Sequence, residues 1–473
     1  MQNHAFINRE KELSVLHERF KTSRAELIVV YGRRRVGKTT ILKEFLKRVG
    51  GVYFLGRQES ELDQLRRFSS ILARYFGDKF LEKSPFTNWD GLFEYLASKA
   101  ENQRVVVIFD EFPYMVSSCP KLPSILQDFW DNRLSYTKIF IVLCGSSIGM
   151  MEEIIGGKSP LYGRRTGQLR IGPLKFSDVR KFFPKYTFRD QITVYAVLGG
   201  TPAYLVQFDT QKNIMSNIEE NVLRTDAFLY QDPLFVLREE IEEPRFYFSI
   251  LKAIAYGATR LSDIINLTGL GKGLVSKYIA TLIDLDLIKR EVPVTEKHPE
   301  KSRKGIYKIK DHFFRFWFRF IYPHMEEIEL GDTKFIIDTI ERNLQEFVAP
   351  VFEEICMEAL KILNLKNKLP TRFLQFGKWW NRGEEIDIVA LDPRTKCMLV
   401  AECKWSTKPV SASELGRLVE KAELVEWMND TRKTFYAYFS SGGFTKSAYS
   451  VAQEYNIFTF DLEKLEKIFS NKV

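Results

Sequence analysis

Cysteine and histidine are scarce in this chain of 473 residues, which contains five of each. The cysteines are odd in number and lack C-x-x-C spacing, which excludes a disulfide framework and a zinc-binding cysteine motif. They indicate reduced thiols of the kind found in the cytosol. The histidines are equally dispersed, so we expect no histidine metal cluster. The scattered cysteines are Cys119, Cys144, Cys356, Cys397 and Cys403.

Long apolar runs are also missing. None approaches the roughly 20 residues that a membrane-spanning helix needs. The first residues, MQNHAFINREKEL, contain no apolar segment of the kind a secretory signal requires. We therefore expect a cytoplasmic protein with no membrane partner. Hydrophobic residues still make up 45% of the chain, so sizeable cores are possible, and the length suits about three domains.

Positive charge is present in excess and is unevenly distributed. The net charge is +9, and residues 245–310 alone contain 13 Lys or Arg and 6 Asp or Glu, a net charge of +7. A short basic segment of this kind favours contact with nucleic acid.

Residues 32–39 read GRRRVGKT and match the phosphate-binding pattern G-x-x-x-x-G-K-(S/T). An apolar run at 27–31 predicts a strand before the loop, and residues 40–49 predict a helix after it. In that context, loop amides and the positive helix end cradle nucleotide phosphates. The residues expected to bind the nucleotide are Gly32, Arg33, Arg34, Arg35, Val36, Gly37, Lys38, Thr39 and Thr40.

Two of these side chains have specific predicted roles. Lys38 is expected to reach the β and γ phosphates, and the Thr39 hydroxyl is expected to ligate Mg²⁺. The roles of the arginines at 33–35 stay open. They face solvent or acidic neighbours in one interpretation and contact phosphate in the other.

A second apolar run, VVVIF at 105–109, ends in Asp110 and Glu111. In phosphate-loop ATPases, the first acid helps to hold Mg²⁺ and the second polarises the attacking water. A third run, KIFIVLC at 138–144, is followed by Gly145, Ser146 and Ser147. Either serine is placed to sense the γ-phosphate or the attacking water, and simple turn chemistry is the alternative.

Further polar residues follow these strands. Arg164 and Arg165 precede a predicted strand at 168–171, and each is a candidate arginine finger or an ordinary surface charge. LGGTPAYL at 198–205 predicts a helix break and restart within a helical lid. Alternating strands and helices predict a parallel sheet covered on both faces. The predicted fold is an α/β P-loop NTPase of the additional-strand, catalytic-glutamate type.

The motifs GRRRVGKT, VVVIFDEF, CGSS, LYGRR and GGTPAYL, in this order, resemble those of the archaeal-type ATPases, relatives of the AAA+ and STAND classes. The resemblance covers roughly residues 1–240. It implies binding and hydrolysis of ATP with Mg²⁺, and it gives Lys38, Thr39, Asp110 and Glu111 the roles stated above.

The basic segment predicts three short helices at 245–256, 260–267 and 274–285, then two strands around the loop TEKHPEKSRKG. This order is typical of a winged helix-turn-helix. The alternatives are DNA contact and packing against protein. The following aromatic run, DHFFRFWFRFIYP at 311–323, predicts a core stripe, with base stacking as its alternative. The basic residues that could contact DNA phosphates are Lys272 and Lys277 on the third helix, with Ser276 beside them, and Lys297, His298, Lys301, Arg303 and Lys304 on the wing.

A second set of chemically active residues lies near the C-terminus. Asp387 is on a predicted strand at 385–391, and Glu402 and Lys404 share one face of a paired strand at 397–405. Glu353 on a predicted helix at 347–363 completes the set, although Glu354 and Glu358 compete with it. Two carboxylates beside a lysine suit Mg²⁺-dependent phosphodiester cleavage, with Asp387, Glu402 and Glu353 as metal ligands and Lys404 orienting water or neutralising phosphate.

This set resembles the PD-(D/E)XK nuclease fold, with Ile386-Asp387 in place of Pro-Asp. GKWW, EEIDIVAL and AECKW also resemble a C-terminal domain of unknown function found on archaeal-type ATPases. The alternative is a solvated Asp, Glu and Lys on an exposed sheet face. The C-terminal prediction is therefore an α/β restriction-endonuclease-like domain.

The sequence thus predicts an ATPase coupled to DNA, with DNA cleavage as a hypothesis. The alternatives are a STAND-like signalling switch that forms ATP-dependent homo-oligomers, and an ATP-regulated DNA-binding regulator with an inactive nuclease-like domain. The predicted domains are an ATPase core at 1–172, a helical lid at 173–240, a winged helix at 241–310, aromatic-rich helices at 311–345 and a nuclease-like domain at 346–473.

Overall fold

The computed structural model describes residues 7–241 and 243–470. The predicted domains also include residues 1–6, 242 and 471–473, which lie outside the described residues. The chain divides into one unit of residues up to 174 with 201–203, and a second unit of residues 175–200 with those from 204 onward.

The first unit is built on a parallel five-stranded sheet. The strand order is β2-β3-β4-β1-β5, so β4 lies between the loop strand and the acidic strand as the predicted additional strand. This confirms the predicted α/β fold. The strands are β1 (Glu26–Tyr31), β2 (Val52–Leu55), β3 (Val105–Asp110), β4 (Ile139–Gly145) and β5 (Gly167–Arg170).

Helices cover both faces of this sheet, which explains why its strands read as unbroken apolar runs. In β1, Ile28 and Val30 pack in the core with α2, whereas Leu27 and Val29 pack in the core with α3 and α5 on the opposite face. The helices of this unit are α1 (Glu10–Phe20), α2 (Lys38–Val49), α3 (Glu61–Phe76), α4 (Lys79–Lys83), α5 (Trp89–Ala100), α6 (Phe112–Ser118), α7 (Leu122–Asn132) and α8 (Ile148–Ile155).

Several predicted boundaries of the first unit differ from the structure by one or two residues. The helix after the loop begins at Lys38, two residues before the predicted start, because Gly37 has a positive φ of 96° and the helical conformation follows at once. The predicted strand at 168–171 is found at 167–170.

The basic segment forms three helices and an antiparallel hairpin in the predicted order. These are α14 (Pro244–Ala255), α15 (Leu261–Thr268), α16 (Lys272–Asp284), β6 (Ile288–Glu291) and β7 (Ile306–Ile309). Five helices precede them: α9 (Phe176–Val179), α10 (Phe188–Leu198), α11 (Pro202–Leu205), α12 (Ile214–Ile218) and α13 (Phe228–Glu240).

The aromatic run forms α17 (His312–Phe316) and the turn that follows it. The side chains of Phe313, Phe316 and Trp317 are fully buried. The Trp317 indole donates a hydrogen bond to the Tyr230 carbonyl at 2.7 Å. The stripe is therefore core, and its rings are not available for base stacking.

The C-terminal region contains a mixed five-stranded sheet of order β12-β11-β10-β9-β8. Strands β8, β9 and β10 are antiparallel, and β10, β11 and β12 are parallel. The elements are α18 (Met325–Glu329), α19 (Thr333–Leu365), β8 (Gln375–Asn381), β9 (Glu384–Asp392), β10 (Cys397–Lys404), α20 (Ala412–Glu423), β11 (Lys433–Ser440), α21 (Lys446–Glu454), β12 (Ile457–Phe460) and α22 (Leu462–Phe469).

The helix α19 covers one face of this sheet and α20 and α21 cover the other. The core beneath α19 also contains Phe188, Ile192 and Ala196 of α10, which the sequence placed in a separate lid. Across residues 7–241 and 243–470, no helix combines the length and apolarity that a bilayer crossing requires.

Candidate nucleotide site and carboxylate cluster

The loop between β1 and α2 passes very close to the chain that follows β5. A Cβ added at Gly32 would lie 2.0 Å from the Ile171 carbonyl oxygen, so only glycine fits there. Val36 is buried, and its carbonyl accepts a hydrogen bond from Arg9 at 2.9 Å. Arg9 also donates to the Gly172 carbonyl at 2.7 Å, so it fastens the loop to the sheet. No sequence motif predicted this role of Arg9.

Lys38 is buried inside the loop. Its Nζ donates hydrogen bonds to the carbonyls of Gly32 at 2.7 Å and Arg33 at 2.8 Å. Burial lowers the pKa of Lys38, and the nearby acids, Glu111 and Asp110 among them, act in the opposite direction. The ammonium thus lies within the loop, where the first amides of α2 have no partner within the helix.

Asp110 at the end of β3 is almost completely buried. The Thr39 hydroxyl donates to its Oδ2 at 2.7 Å, and the Tyr53 hydroxyl donates to the same oxygen at 2.5 Å. Burial and the Asp110 charge raise the pKa of Tyr53, so this phenol stays protonated and acts as a donor. The sequence missed Tyr53, and only the pairing of β2 with β3 reveals it.

Glu111 follows Asp110 with a positive φ of 52°, a strained conformation for a residue with a side chain. Its carboxylate accepts hydrogen bonds from the Ser146 hydroxyl at 2.5 Å and the Ser146 amide at 3.3 Å. Ser147 instead occupies the position before α8. The structure therefore links Ser146, rather than Ser147, to the second acid.

The remaining predicted nucleotide residues make local contacts. Arg34 donates to the Tyr114 hydroxyl at 2.9 Å, and Thr40 is exposed on α2. Arg164 forms an ion pair with Asp131 at 2.9 Å. Arg165 donates to the Ile155 carbonyl at 2.8 Å. For Arg164 and Arg165, the arginine-finger role and the surface-charge alternative both stay predictions.

The C-terminal acids come together from three elements. Asp387 on β9 is buried, and its carboxylate accepts a hydrogen bond from the Cys403 amide at 2.8 Å. Burial, followed by the neighbouring Glu402, raises the pKa of Asp387 to about 7. Burial and the Asp387 charge likewise raise the pKa of Glu353 on α19 to about 7. We call Asp387, Glu402 and Glu353 the carboxylate cluster.

Lysines bind two of these acids, and neither lysine is the predicted one. Lys378 on β8 forms an ion pair with Glu353. Lys421 on α20 forms a 2.8 Å ion pair with Glu402. The predicted Lys404 has a half-exposed side chain, and its nearest acidic partner is Glu414 at 3.7 Å. The sequence contains Lys378 in the GKWW motif but gives no sign of the distant Lys421.

The competing helical acids lie elsewhere. Glu354 accepts hydrogen bonds from His312 at 2.9 Å and from Lys289 at 2.9 Å. Burial acts to raise the pKa of Glu354, but His312 and Lys289 hold this pKa well below its usual range. The pKa of Glu358 is raised by burial. Neither has an interaction with Asp387 of the kind Glu353 has, so Glu353 is the helical acid of the cluster.

Neither site is a ready-made metal cage. Within residues 7–241 and 243–470, no group of three or more His, Cys, Asp or Glu side chains is placed to hold a metal ion. Mg²⁺ commonly uses one or two protein oxygens and completes its shell with water or phosphate. The oxygens of Thr39 and Asp110 fit that requirement, as do those of Asp387 and Glu402.

Two family profiles match the chain. The profile described as an ATPase domain predominantly from Archaea matches residues 6–208. The profile described as Archaea bacterial proteins of unknown function matches residues 317–417, which include the three acids of the carboxylate cluster.

Relatives from Methanocaldococcus jannaschii extend this likeness. Uncharacterized protein MJECL04 is 37% identical over 401 residues, which cover 85% of this chain and 87% of that protein. Uncharacterized ATP-binding protein MJ0423 is 50% identical over 42 residues, which cover 9% of this chain and 71% of that protein.

Similar solved structures include the Aeropyrum pernix ORC2 protein in its ADPNP-ADP complexes. It has a TM-score of 0.43 and 15% identity and covers 68% of this chain and 93% of that one. Cdc6p from Pyrobaculum aerophilum has a TM-score of 0.30 and 12% identity and covers 70% of this chain and 94% of that one.

Proposed function

The chain belongs to the archaeal-type ATPases, and from this premise we propose that its ATP site controls DNA binding and Mg²⁺-dependent DNA cleavage by its C-terminal region. ATP binding and hydrolysis follow from the family. The coupling and the cleavage are the proposal. The observation that carries it is the meeting of Asp387, Glu402 and Glu353 in a chain with a complete phosphate-binding loop.

In the proposed ATP site, the phosphates lie against the loop amides and the N-terminus of α2. The Lys38 ammonium leaves the loop carbonyls and contacts oxygens of the β and γ phosphates. A hydrogen bond between two charged groups is the stronger one. Thr39 and Asp110 would hold Mg²⁺, which would supply positive charge next to the γ-phosphate. Glu111 accepts a proton from the attacking water, and Ser146 fixes the carboxylate in place.

In the proposed nuclease site, Asp387 and Glu402 would hold Mg²⁺, which would supply positive charge for the activation of water and at the scissile phosphate. Lys421 and Lys378 fix the Glu402 and Glu353 carboxylates by ion pairs. Lys404 is half-exposed at the end of β10, so its ammonium is accessible to a phosphate on the substrate.

The experiment uses the whole protein with plasmid, linear and branched DNA in Mg²⁺ or Mn²⁺, with and without ATP. We expect the wild type to cleave at least one substrate, Asp387→Ala to abolish cleavage, and Lys38→Ala to remove its dependence on ATP. Cleavage that persists in Asp387→Ala would come from a contaminant or another site. Intact DNA with every substrate and metal would remove the cleavage proposal.

One observation favours a second function without cleavage. Lys378 and Lys421 already compensate two of the three acids, as in a structural ion-pair network. We propose as the alternative that ATP controls homo-oligomer formation or DNA binding by a chain whose nuclease-like site is inactive. Size-exclusion chromatography of wild type and Lys38→Ala with ATP separates the two, since the alternative predicts nucleotide-dependent assembly with uncut DNA.

A further inference from the structure

The hairpin of β6 and β7, together with its connecting loop, carries a concentrated positive charge. We call residues 288–310 the basic hairpin. They contain eight Lys or Arg and three Glu, a net charge of +5 out of +9 for the whole chain. Such a density on one small element demands a negatively charged partner or strong solvation.

The hairpin does not project freely, because its loop is hydrogen-bonded to the edge strand β8. The Val294 amide donates to the Lys378 carbonyl at 2.9 Å. The Trp380 indole donates to the Lys304 carbonyl at 3.2 Å. Val294 also packs against the apolar core of the C-terminal sheet. A Cβ added at Gly377 would lie only 3.0 Å from Val294 Cβ, which shows how tight this contact is.

This docking places the hairpin directly beside the carboxylate cluster. The Lys378 carbonyl accepts a hydrogen bond from the hairpin, and the Lys378 ammonium forms an ion pair with Glu353. Lys289 of β6 pairs with Glu354, the next residue of α19, at 2.9 Å. The Lys308 charge on β7 is close enough to lower the pKa of Glu353 against the effect of burial.

The charged side chains of the hairpin differ in their partners. Lys289 and Lys308 on the strands are neutralised by Glu291, at 2.8 Å and 3.0 Å. Lys297, Lys301 and Arg303 on the loop are exposed. Arg290 stabilises the conformation of this loop, because its side chain donates a hydrogen bond to the Pro299 carbonyl at 2.8 Å. The exposed charges therefore sit on an ordered loop.

We propose that the basic hairpin binds the phosphodiester backbone of duplex DNA and holds it next to the carboxylate cluster. The inference rests on the proposed function and makes it more specific. The hairpin, rather than the helix α16, supplies the main DNA contact. Lysine and arginine contacts to phosphate carry no base information, so the substrate is recognised by its charged backbone rather than by its sequence.

The first test measures binding of a fluorescent 30-base-pair duplex in EDTA, so that it does not depend on cleavage. The variant Lys297→Gln/Lys301→Gln/Arg303→Gln removes three exposed charges without touching the core. We expect about 10- to 100-fold weaker binding at 0.1 M salt and a salt slope smaller by about 2 to 3, as the loss of three phosphate contacts predicts.

Two matched variants separate a local from a general charge effect. Lys366→Gln/Lys368→Gln/Lys446→Gln removes three exposed charges outside the hairpin, and Lys272→Gln/Lys277→Gln removes two from α16. Both are expected to bind within about threefold of wild type, since nonspecific attraction depends on charges near the DNA. Equal losses in all variants, or a larger loss in the α16 variant, would overturn the inference.

The second test locates the DNA. Duplexes with a photo-crosslinker on one phosphate are irradiated with the protein, and the crosslinked peptides are identified by mass spectrometry. We expect crosslinks within residues 295–304 and within 376–381 from phosphates less than one helical turn apart. Gly377→Val, which pushes β8 away from Val294, should lose the second set and keep the first.

The outcomes distinguish the inference from the function on which it rests. Wild-type protein that does not bind duplex DNA overturns both. Tight binding that the hairpin variant retains overturns only the inference. A duplex RNA bound more tightly than the DNA of the same sequence overturns the choice of DNA as the partner.

Discussion

The nucleotide site and the carboxylate cluster both contain buried acids, but the acids have different partners. At the nucleotide site, Asp110 accepts from the hydroxyls of Thr39 and Tyr53. In the cluster, Glu353 and Glu402 accept from lysine ammoniums. Hydroxyl donors bring no charge to the acid that they contact, whereas ammoniums neutralise it within the protein.

The difference in partners affects how each site would receive a cation. Asp110, whose Oδ2 accepts from two hydroxyls, favours Mg²⁺ arriving with ATP. A cation at the cluster competes with charges that the chain already provides, so its binding is weaker or requires the DNA phosphate as a further ligand. Five tests examine this difference between the nucleotide site and the carboxylate cluster.

The largest effect is expected at the nucleotide site itself. Lys38→Ala removes the ammonium that contacts the phosphates, and we expect ATP turnover to fall about 100-fold or more. A coupled assay for released ADP measures it. Lys47→Ala, on the exposed side of the same helix, is the control and should retain activity. Equal turnover in Lys38→Ala and wild type would mean that the loop is not the catalytic site.

Glu111→Gln separates binding from chemistry in the same site. It keeps the shape of the side chain and loses the carboxylate that accepts the proton, so turnover should fall by about 10² to 10³-fold. ATP affinity by calorimetry should stay within a few-fold of wild type. A variant that loses affinity and turnover together would indicate a structural role for the strained residue.

Lys404→Ala tests the accessible lysine of the cluster. Because Lys404 is half-exposed and only 3.7 Å from Glu414, its loss should leave the melting temperature unchanged. If Lys404 neutralises the scissile phosphate, DNA cleavage should fall about 10- to 100-fold. Cleavage at the wild-type rate would remove Lys404 from the site.

Lys378→Met should have the opposite profile, because its ammonium is buried against Glu353. We expect a loss of about 1–3 kcal/mol in the free energy of unfolding, since a buried acid loses its partner. Urea denaturation at pH 8 measures it. Lys368→Met, at an exposed position, is the control. Stability equal to wild type would show that the ion pair contributes nothing.

The smallest effect concerns pH and Asp387, whose pKa is raised to about 7 in the folded chain. The folded state therefore binds more protons than the unfolded state between about pH 4 and pH 7, so stability falls as pH rises through this range. Asp387→Asn removes the ionisable group that causes this pH-dependent loss of stability. In EDTA it should be more stable than wild type by about 1–2 kcal/mol at pH 8, and the difference should shrink at pH 5. A pH-independent difference would contradict the raised pKa.

Local patterns predicted the nucleotide unit well. The apolar runs before Asp110 and Ser146 predicted both the strands and the polar residues that follow them, because these side chains lie within a few residues of a buried strand. The extra strand β4 and the parallel order agree with that prediction. The role of Tyr53 was not predicted, since its contact with Asp110 depends on which strands are neighbours in the sheet.

At the C-terminus the sequence identified Asp387, Glu402 and Glu353 as residues that would meet, and the structure brings them together. It did not identify Lys378 or Lys421 as their partners. A lysine is a common residue, and its long side chain reaches acids on elements that are remote in sequence. The hairpin was likewise predicted as an element, but its docking on β8 was not.

The phosphate-binding loop, the acids Asp110 and Glu111 and the order of helices and strands could be predicted from the sequence, because periodicity and short motifs act over a few neighbouring residues. The ion pairs of Lys378 and Lys421 with the cluster, and the position of the basic hairpin beside it, depend on tertiary packing. Those contacts arise from the packing of elements that are distant in sequence, such as the hairpin with Val294 and the strand β8 with Lys378, and no local pattern encodes such a pairing.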